Sequence, residues 1–257
     1  MSGLHIETRG TGATPLVMIH GWAMHGGILA PLVEALADRY TMYVVDLPGH
    51  GYSRDSAIPL EPLACARAIA EATPPATWLG WSMGGLVALA AALDVPEAVR
   101  AVVPVCSTPC FVRGEGWPYG NDVTMVHRLA TDLQDDYKAT VERFIALEAM
   151  GSADPRAEAR RLKEEAFSRG EPNPRVLLEG LRLLETTDLR PRLAGLRQPN
   201  LWIAGRRDRI VHPEAMRWSA EAARGHFAEI AHAGHAPFIG HAAAVADVLT
   251  SFTDADA

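Results

Sequence analysis

Cysteine is scarce: three residues among 257, at Cys65, Cys106 and Cys110. That is too few, and too irregular, for a disulfide framework or a zinc site, so they read as reduced thiols of a cytoplasmic protein. No uncharged apolar run reaches membrane-spanning length; the run at 86–93 is stopped by Asp94 and Pro96. The N-terminus, beginning Met1-Ser2-Gly3, lacks the basic-then-apolar order of a secretory signal. Positive charge is short as well, with 24 Lys and Arg against 31 Asp and Glu and a formal net charge of −7. This excludes a chain basic all over that coats nucleic acid, while leaving room for a local basic face. No Gly-x-Gly-x-x-Gly follows a strand, no phosphate loop occurs, and no His/Cys/Asp cluster has metal spacing, so neither cofactor nor metal is expected. Internal repeats and low-complexity segments are missing too.

What is present suits one large domain, or a core with an insert: 48% hydrophobic and 21% charged residues, enough for a substantial core. Residues 4–8, 16–20, 42–46, 77–81 and 101–106 read as strands, several apolar on both faces; 201–204 and 226–230 resume the pattern. Between them 28–39, 60–72 and 83–93 read as helices, and 242–252 closes with another. Alternation of this kind predicts an α/β fold with a mostly parallel central sheet flanked by helices, its ligands at the carboxyl ends of the strands. The rhythm breaks between about 108 and 187. There 123–133, 137–150, 156–167 and 175–186 look helical, divided by Gly151, Asp154-Pro155 and the 170–174 stretch. The simplest arrangement is an inserted helical lid at 109–187 on a core of 1–108 and 188–257.

Gly80-Trp81-Ser82-Met83-Gly84 stands directly after a strand and directly before a helix, the setting a nucleophile elbow requires. Serine there projects clear of the sheet, and the helix aims its free amides at a developing oxyanion. The competing reading is a chance glycine-rich turn. A serine hydroxyl needs a base, and His235 in Gly234-His235-Ala236-Pro237-Phe238, after the last strand, is the candidate; His232 and His241 read as structural or surface histidines. Asp208, in the loop after Ala204-Gly205, is the acid that would orient the imidazole. Asp46 is the alternative, although Asp46-Leu47-Pro48-Gly49 reads better as a structural turn. For the oxyanion, Met83 supplies one backbone N–H and Trp22, in His20-Gly21-Trp22, the second, with His20 fixing the loop.

Together His20-Gly21-Trp22, the Asp46 turn, Gly80-Trp81-Ser82-Met83-Gly84-Gly85, Asp208 and Gly234-His235-Ala236-Pro237-Phe238 resemble the α/β-hydrolase superfamily over nearly the whole chain. More narrowly, 78–87, 107–111 with 115–118, the lid run 140–151 and Thr187-Asp188-Leu189-Arg190 resemble the pimeloyl-[acyl-carrier protein] methyl ester esterases of biotin biosynthesis. The resemblance implies an α/β-hydrolase fold, cleavage of the methyl ester of a carrier-bound pimeloyl chain, and a partner, the acyl carrier protein; a cytoplasmic monomer is expected. An acyl slot would be lined by Trp22, Trp81, Phe111, Trp117, Phe144, Leu147 and Met150, unless the lid residues among them simply pack the lid on the core. Lys138, Arg143, Arg156, Arg160, Arg161 and Lys163 gather in the two middle lid helices, interleaved with Glu142, Glu158, Glu164 and Glu165. They form either a solvated face or a basic patch for an acidic carrier. The resemblance matches Arg143, Arg156 and Arg160 to carrier-holding positions, whereas Ala139 falls where that family can carry another arginine, leaving Lys138 to serve. Two other readings stay open: a general short-chain carboxylesterase with no carrier partner, and a non-catalytic module that senses a ligand. Dehalogenation normally needs an aspartate nucleophile, and Ser82 speaks against it.

Overall fold

Seven strands form one sheet in the order β1-β3-β2-β4-β5-β6-β7, in a computed structural model that describes residues 3–255. Met1 and Ser2 of the N-terminal reading, and the two ends of the proposed core, lie outside the described residues. The strands are β1 Ile6–Arg9, β2 Thr14–Ile19, β3 Tyr40–Val45, β4 Ala76–Trp81, β5 Val99–Val105, β6 Leu201–Gly205 and β7 His226–Ile230. Only β1 runs antiparallel to its neighbour; every other pairing is parallel. Every residue of β4 and of β6 is buried, which accounts for strands apolar on both faces rather than alternating.

Helices cover the sheet. α1 (Ala30–Leu36) packs on the C-terminal α9 (Pro237–Ala255), and α2 (Pro62–Ala72) packs on α3 (Met83–Asp94). α3 is buried from Met83 through Ala92, as suits a helix apolar all round that lies inside the fold. Between β5 and β6 come four helices: α4 Val123–Asp135, α5 Tyr137–Ala149, α6 Pro155–Ala166 and α7 Pro174–Thr186. Each starts where a short polar side chain accepts from a free amide of the first turn: Asp122 from Thr124, Asp136 from Ala139, Asp154 from Ala157 and Asn173 from Arg175. Proline at the first position of α6 and α7 adds a fixed φ where no amide bond is lost.

Three elements differ from the sequence expectation. A helix absent from it, α8 (Pro213–Ala222), follows β6, with His212 accepting from Glu214 N–H at its start. The helix expected over 28–39 is a 3-10 turn, Gly26–Leu29, followed by the shorter α1. α9 begins at Pro237 rather than 242 and is kinked at His241. Among the described residues no helix is long and apolar enough to cross a membrane.

Candidate active site

The turn from β4 into α3 holds Ser82 at φ 53°, ψ −121°, a left-handed conformation that a non-glycine residue adopts only when its surroundings impose it. Those surroundings are visible. Ser82 N–H donates to Val105 O (3.0 Å), and Ser107 Oγ donates to Ser82 O (2.7 Å). Flanking glycines let the backbone pack this tightly: a Cβ on Gly80 would stand 2.3 Å from Gly84 O, and one on Gly84 would stand 2.5 Å from His20 O.

Ser82 Oγ–H donates to His235 Nε2 (2.9 Å), and His235 Nδ1–H donates to Asp208 Oδ2 (2.8 Å). The other carboxylate oxygen, Asp208 Oδ1, accepts from the amides of Ile210 (2.8 Å) and Val211 (3.0 Å), which fixes its plane. All three side chains are buried. Trp81 Nε1 donates to His235 O (2.7 Å), anchoring the histidine loop from below. This is a connected relay in which the histidine can take the serine proton while the carboxylate steadies the resulting charge. Asp46 takes no part: its oxygens accept from the amides of Gly26 and Tyr52 and from Arg169. Burial raises the Asp46 carboxyl, but His20, those amides and Arg169 outweigh it and hold it below its ordinary value.

Met83 opens α3, so its N–H has no acceptor within the helix and is free for an oxyanion. The His20-Gly21-Trp22 loop passes over the serine, since a Cβ on Gly21 would lie 3.1 Å from Ser82 Cβ. His20 staples this loop: Nδ1–H donates to Gly21 O and Nε2 accepts from Leu47 N–H. Burial, then His50, push the His20 imidazole down to about 3, so it remains neutral in this role. Trp22 Nε1 donates to Leu177 O of α7 (2.9 Å), and its ring meets Phe144 edge-on at 4.9 Å.

Ser82 faces a cavity of about 190 Å³ with apolar walls. Four of the expected residues, Trp22, Phe111, Phe144 and Leu147, line it. Three others do not. Trp81 lies under His235, against Phe238. Trp117 packs in a separate cluster with Tyr119 and Trp218, and Met150 is exposed. Six apolar lining residues escape the sequence reading: Met125, Val126 and Leu129 of α4, Leu181 and Leu184 of α7, and Ile210. For those of α4 and α7 the helical spacing was the available signal; Ile210 lies in a loop and had none. Arg128, Asp132 and Arg143 also border the cavity; Arg143 Nη2 donates to Asp132 Oδ2 (3.2 Å) and Thr140 Oγ1 (2.9 Å). Of the remaining lid cations, Lys138 sits over the Phe167 ring and Lys163 pairs with Glu142, whereas Arg156, Arg160 and Arg161 are exposed.

Behind the histidine, the end of α5 touches the catalytic loop: His235 N–H donates to Glu148 O (3.4 Å). Glu148 and Glu158 are buried in this seam, Glu158 contrary to its expected place on a solvated face. Burial, then Asp208 and Glu158, push the Glu148 carboxyl well above its usual range, and burial lifts Glu158 to about 7 against a smaller opposing influence of the nearby Ser152 hydroxyl. Cys106 Sγ, Asp208 and His235 bring ligand-type atoms within 4.8 Å of one another. They suit a metal poorly: burial, then Asp208, raise the thiol well above its ordinary value, and the imidazole and carboxylate are bonded to each other.

The family model described as alpha/beta hydrolase fold matches residues 14–242. The chain is 53% identical over 250 residues to a pimeloyl-[acyl-carrier protein] methyl ester esterase from Stenotrophomonas maltophilia, covering 97% of this chain and 96% of that protein. It is 50% identical over 251 residues to a protein of the same name from Xanthomonas oryzae pv. oryzae, covering 97% and 98%. Among solved structures it matches an esterase from Exiguobacterium antarcticum with a TM-score of 0.87 at 21% identity, over 98% of this chain and 95% of that one, a likeness of fold. Because the matched span runs through the Ser82 turn, the Asp208 loop and His235 alike, the chain belongs to the alpha/beta hydrolase fold family.

Proposed function

We propose that this chain hydrolyses the methyl ester of pimeloyl-[acyl-carrier protein], releasing methanol and the carrier-bound pimeloyl acid for biotin biosynthesis. The observation that carries the reading is identity of about half over nearly the full length to relatives named for that reaction. The serine–histidine–aspartate geometry beneath an apolar cavity supports it independently.

Ser82 Oγ attacks the ester carbonyl as its proton passes to His235 Nε2. The amides of Met83 and Trp22 receive the oxyanion, and Asp208 stabilises the imidazolium. Collapse of the tetrahedral intermediate expels methoxide, which takes the proton from His235 and leaves as methanol. Water then gives a proton to His235 and attacks the acyl-enzyme, and Ser82 recovers its proton as the free carboxylate departs. The apolar cavity takes the methylene chain, and the lid cations Lys138, Arg143, Arg156 and Arg160 face the acidic carrier. We place the reaction in the cytoplasm, in a monomer whose 109–187 insert acts as the lid; three buried free thiols are in keeping with a reducing compartment.

The test compares hydrolysis of pimeloyl-carrier-protein methyl ester with that of free dimethyl pimelate, with Ser82→Ala as the blank. The expected result is a large kcat/KM preference for the carrier-bound ester, absent in the blank and eroded by salt. Equal turnover of both esters, indifferent to salt, would leave a serine esterase without a carrier partner.

A further inference from the structure

The acyl cavity has a larger neighbour. A cleft of about 1120 Å³ runs beside it, walled by the loop after β6, the start of α8 and the segment around 113–122. Its walls carry five arginines: Arg206, Arg207 and Arg209 from the loop, Arg217 from α8 and Arg113 opposite. All five are exposed. Three exposed carboxylates, Asp122, Glu214 and Glu229, share the cleft; its fourth, Asp208, is buried in its bond with His235. Two arginines are loosely matched, Arg206 to Glu229 at 3.6 Å and Arg217 to Glu214 at 3.5 Å. Arg207 Nη2 donates to His232 Nδ1, and among the described residues Arg113, Arg207 and Arg209 form no ion pair. On a chain of net charge −7 this is a local reversal of sign.

Its position matters more than its charge. Asn121 and Ile210 line both the cleft and the acyl cavity, and Asn121 Nδ2 donates to Ile210 O (2.8 Å), so one shared saddle separates the two. The cleft also reaches the lid at Gly151, which touches Arg207. A partner seated there would lie beside the cavity and against the lid together.

We infer that the arginine cleft is a second docking surface for the acidic acyl carrier protein, distinct from the cations of α5 and α6. The inference rests on the carrier-bound reading of the function. Five arginines dispersed along two walls, two of them shared with carboxylates, make an extended field rather than a chelating pocket for one small anion. Such a field suits a run of surface carboxylates, and it acts mainly through encounter rate, salt dependence and orientation.

The test uses the Ser82→Ala chain, which leaves the ester intact, and measures its affinity by fluorescence anisotropy for carrier protein bearing pimeloyl methyl ester. The cleft pair Arg206→Glu with Arg217→Glu is compared with the lid pair Arg156→Glu with Arg160→Glu and with the parent, each at low and high salt. The cleft pair is expected to bind about tenfold or more weakly, with a shallower salt dependence. If the charge reversals compromise folding, Arg206→Gln with Arg217→Gln replaces them, with a loss of about threefold expected. Parent-like binding by the cleft pair, alongside a loss in the lid pair, overturns the inference and leaves the function standing. A parent that does not bind the loaded carrier overturns both.

Discussion

Replacing Glu158 by glutamine should stabilise the protein at alkaline pH and do little in acid. Glu158 of α6 is buried near the His235 loop, and its Oε1 has no hydrogen-bond partner among the described residues. Burial lifts its carboxyl from an ordinary 4.5 to about 7. In the unfolded chain the group ionises near its ordinary value, so below 4.5 both states are protonated and nothing is lost. Between 4.5 and 7 the folded state holds a proton that the unfolded state has released, and stability falls as pH rises; above 7 the deficit is constant. At ~1.4 kcal/mol per tenfold the displacement amounts to about 3 kcal/mol, and water reaching the seam reduces this to about 2 kcal/mol. Glutamine keeps the shape and never ionises. Thermal unfolding of both proteins at pH 5 and pH 8.5 isolates the effect, because the buried histidines titrate alike in each. The gap in Tm should widen by roughly 4–8 °C in favour of Glu158→Gln at the higher pH. A gap of the same size at both pH values would refute the reasoning.

Asp208→Asn preserves the shape but removes the charge that steadies the imidazolium and its tautomer; kcat on any ester should fall ~10⁴-fold, and a loss under tenfold would exclude Asp208 as the acid. Arg169→Gln leaves the fully buried Asp46 carboxylate without its cation, and urea unfolding should register a loss of about 3 kcal/mol. Gly180→Ala would place a methyl 2.6 Å from Trp22 Cδ1 and 3.0 Å from its Nε1. The gain in helix propensity is outweighed: the indole must leave Leu177 O, and kcat/KM should drop about tenfold for carrier-bound and free esters alike, with a shift in tryptophan emission.

The strands and the helices α4–α7 are legible because their signals are local. β4 and β6 are short apolar runs bounded by turns, and each lid helix announces its start with an aspartate or asparagine. α8 carries similar marks, His212 before Pro213 and Met216 four residues before Ala220, yet they lie in a short stretch between two strands to which the sequence reading assigns no element. Ser82, Asp208 and His235 each stand in a strand-end motif, and the structure brings their side chains within hydrogen-bond distance. The cavity wall is not local. Hydrophobicity says that Trp81, Trp117 and Met150 are apolar but not which space they face, and they end under the histidine, in a satellite cluster and in solvent. Glu158 was hidden for the opposite reason: a carboxylate among lysines and arginines looks solvated until its helix face is known.

The position of α4–α7 in the chain, between β5 and β6, dictates the order in which the protein can be finished. A ribosome makes β5 and then all four helices α4–α7 before β6 exists, so the edge of β5 that β6 will cover stays open throughout that interval. An unpaired apolar edge is where sheets join wrong partners. Over the same interval Asp46 waits for Arg169, and the nucleophile turn is held by Val105 and Ser107 with neither base nor acid yet made. A nascent chain arrested among α4–α7 would therefore hold Ser82 in place without Asp208, which follows β6, or His235, which follows β7.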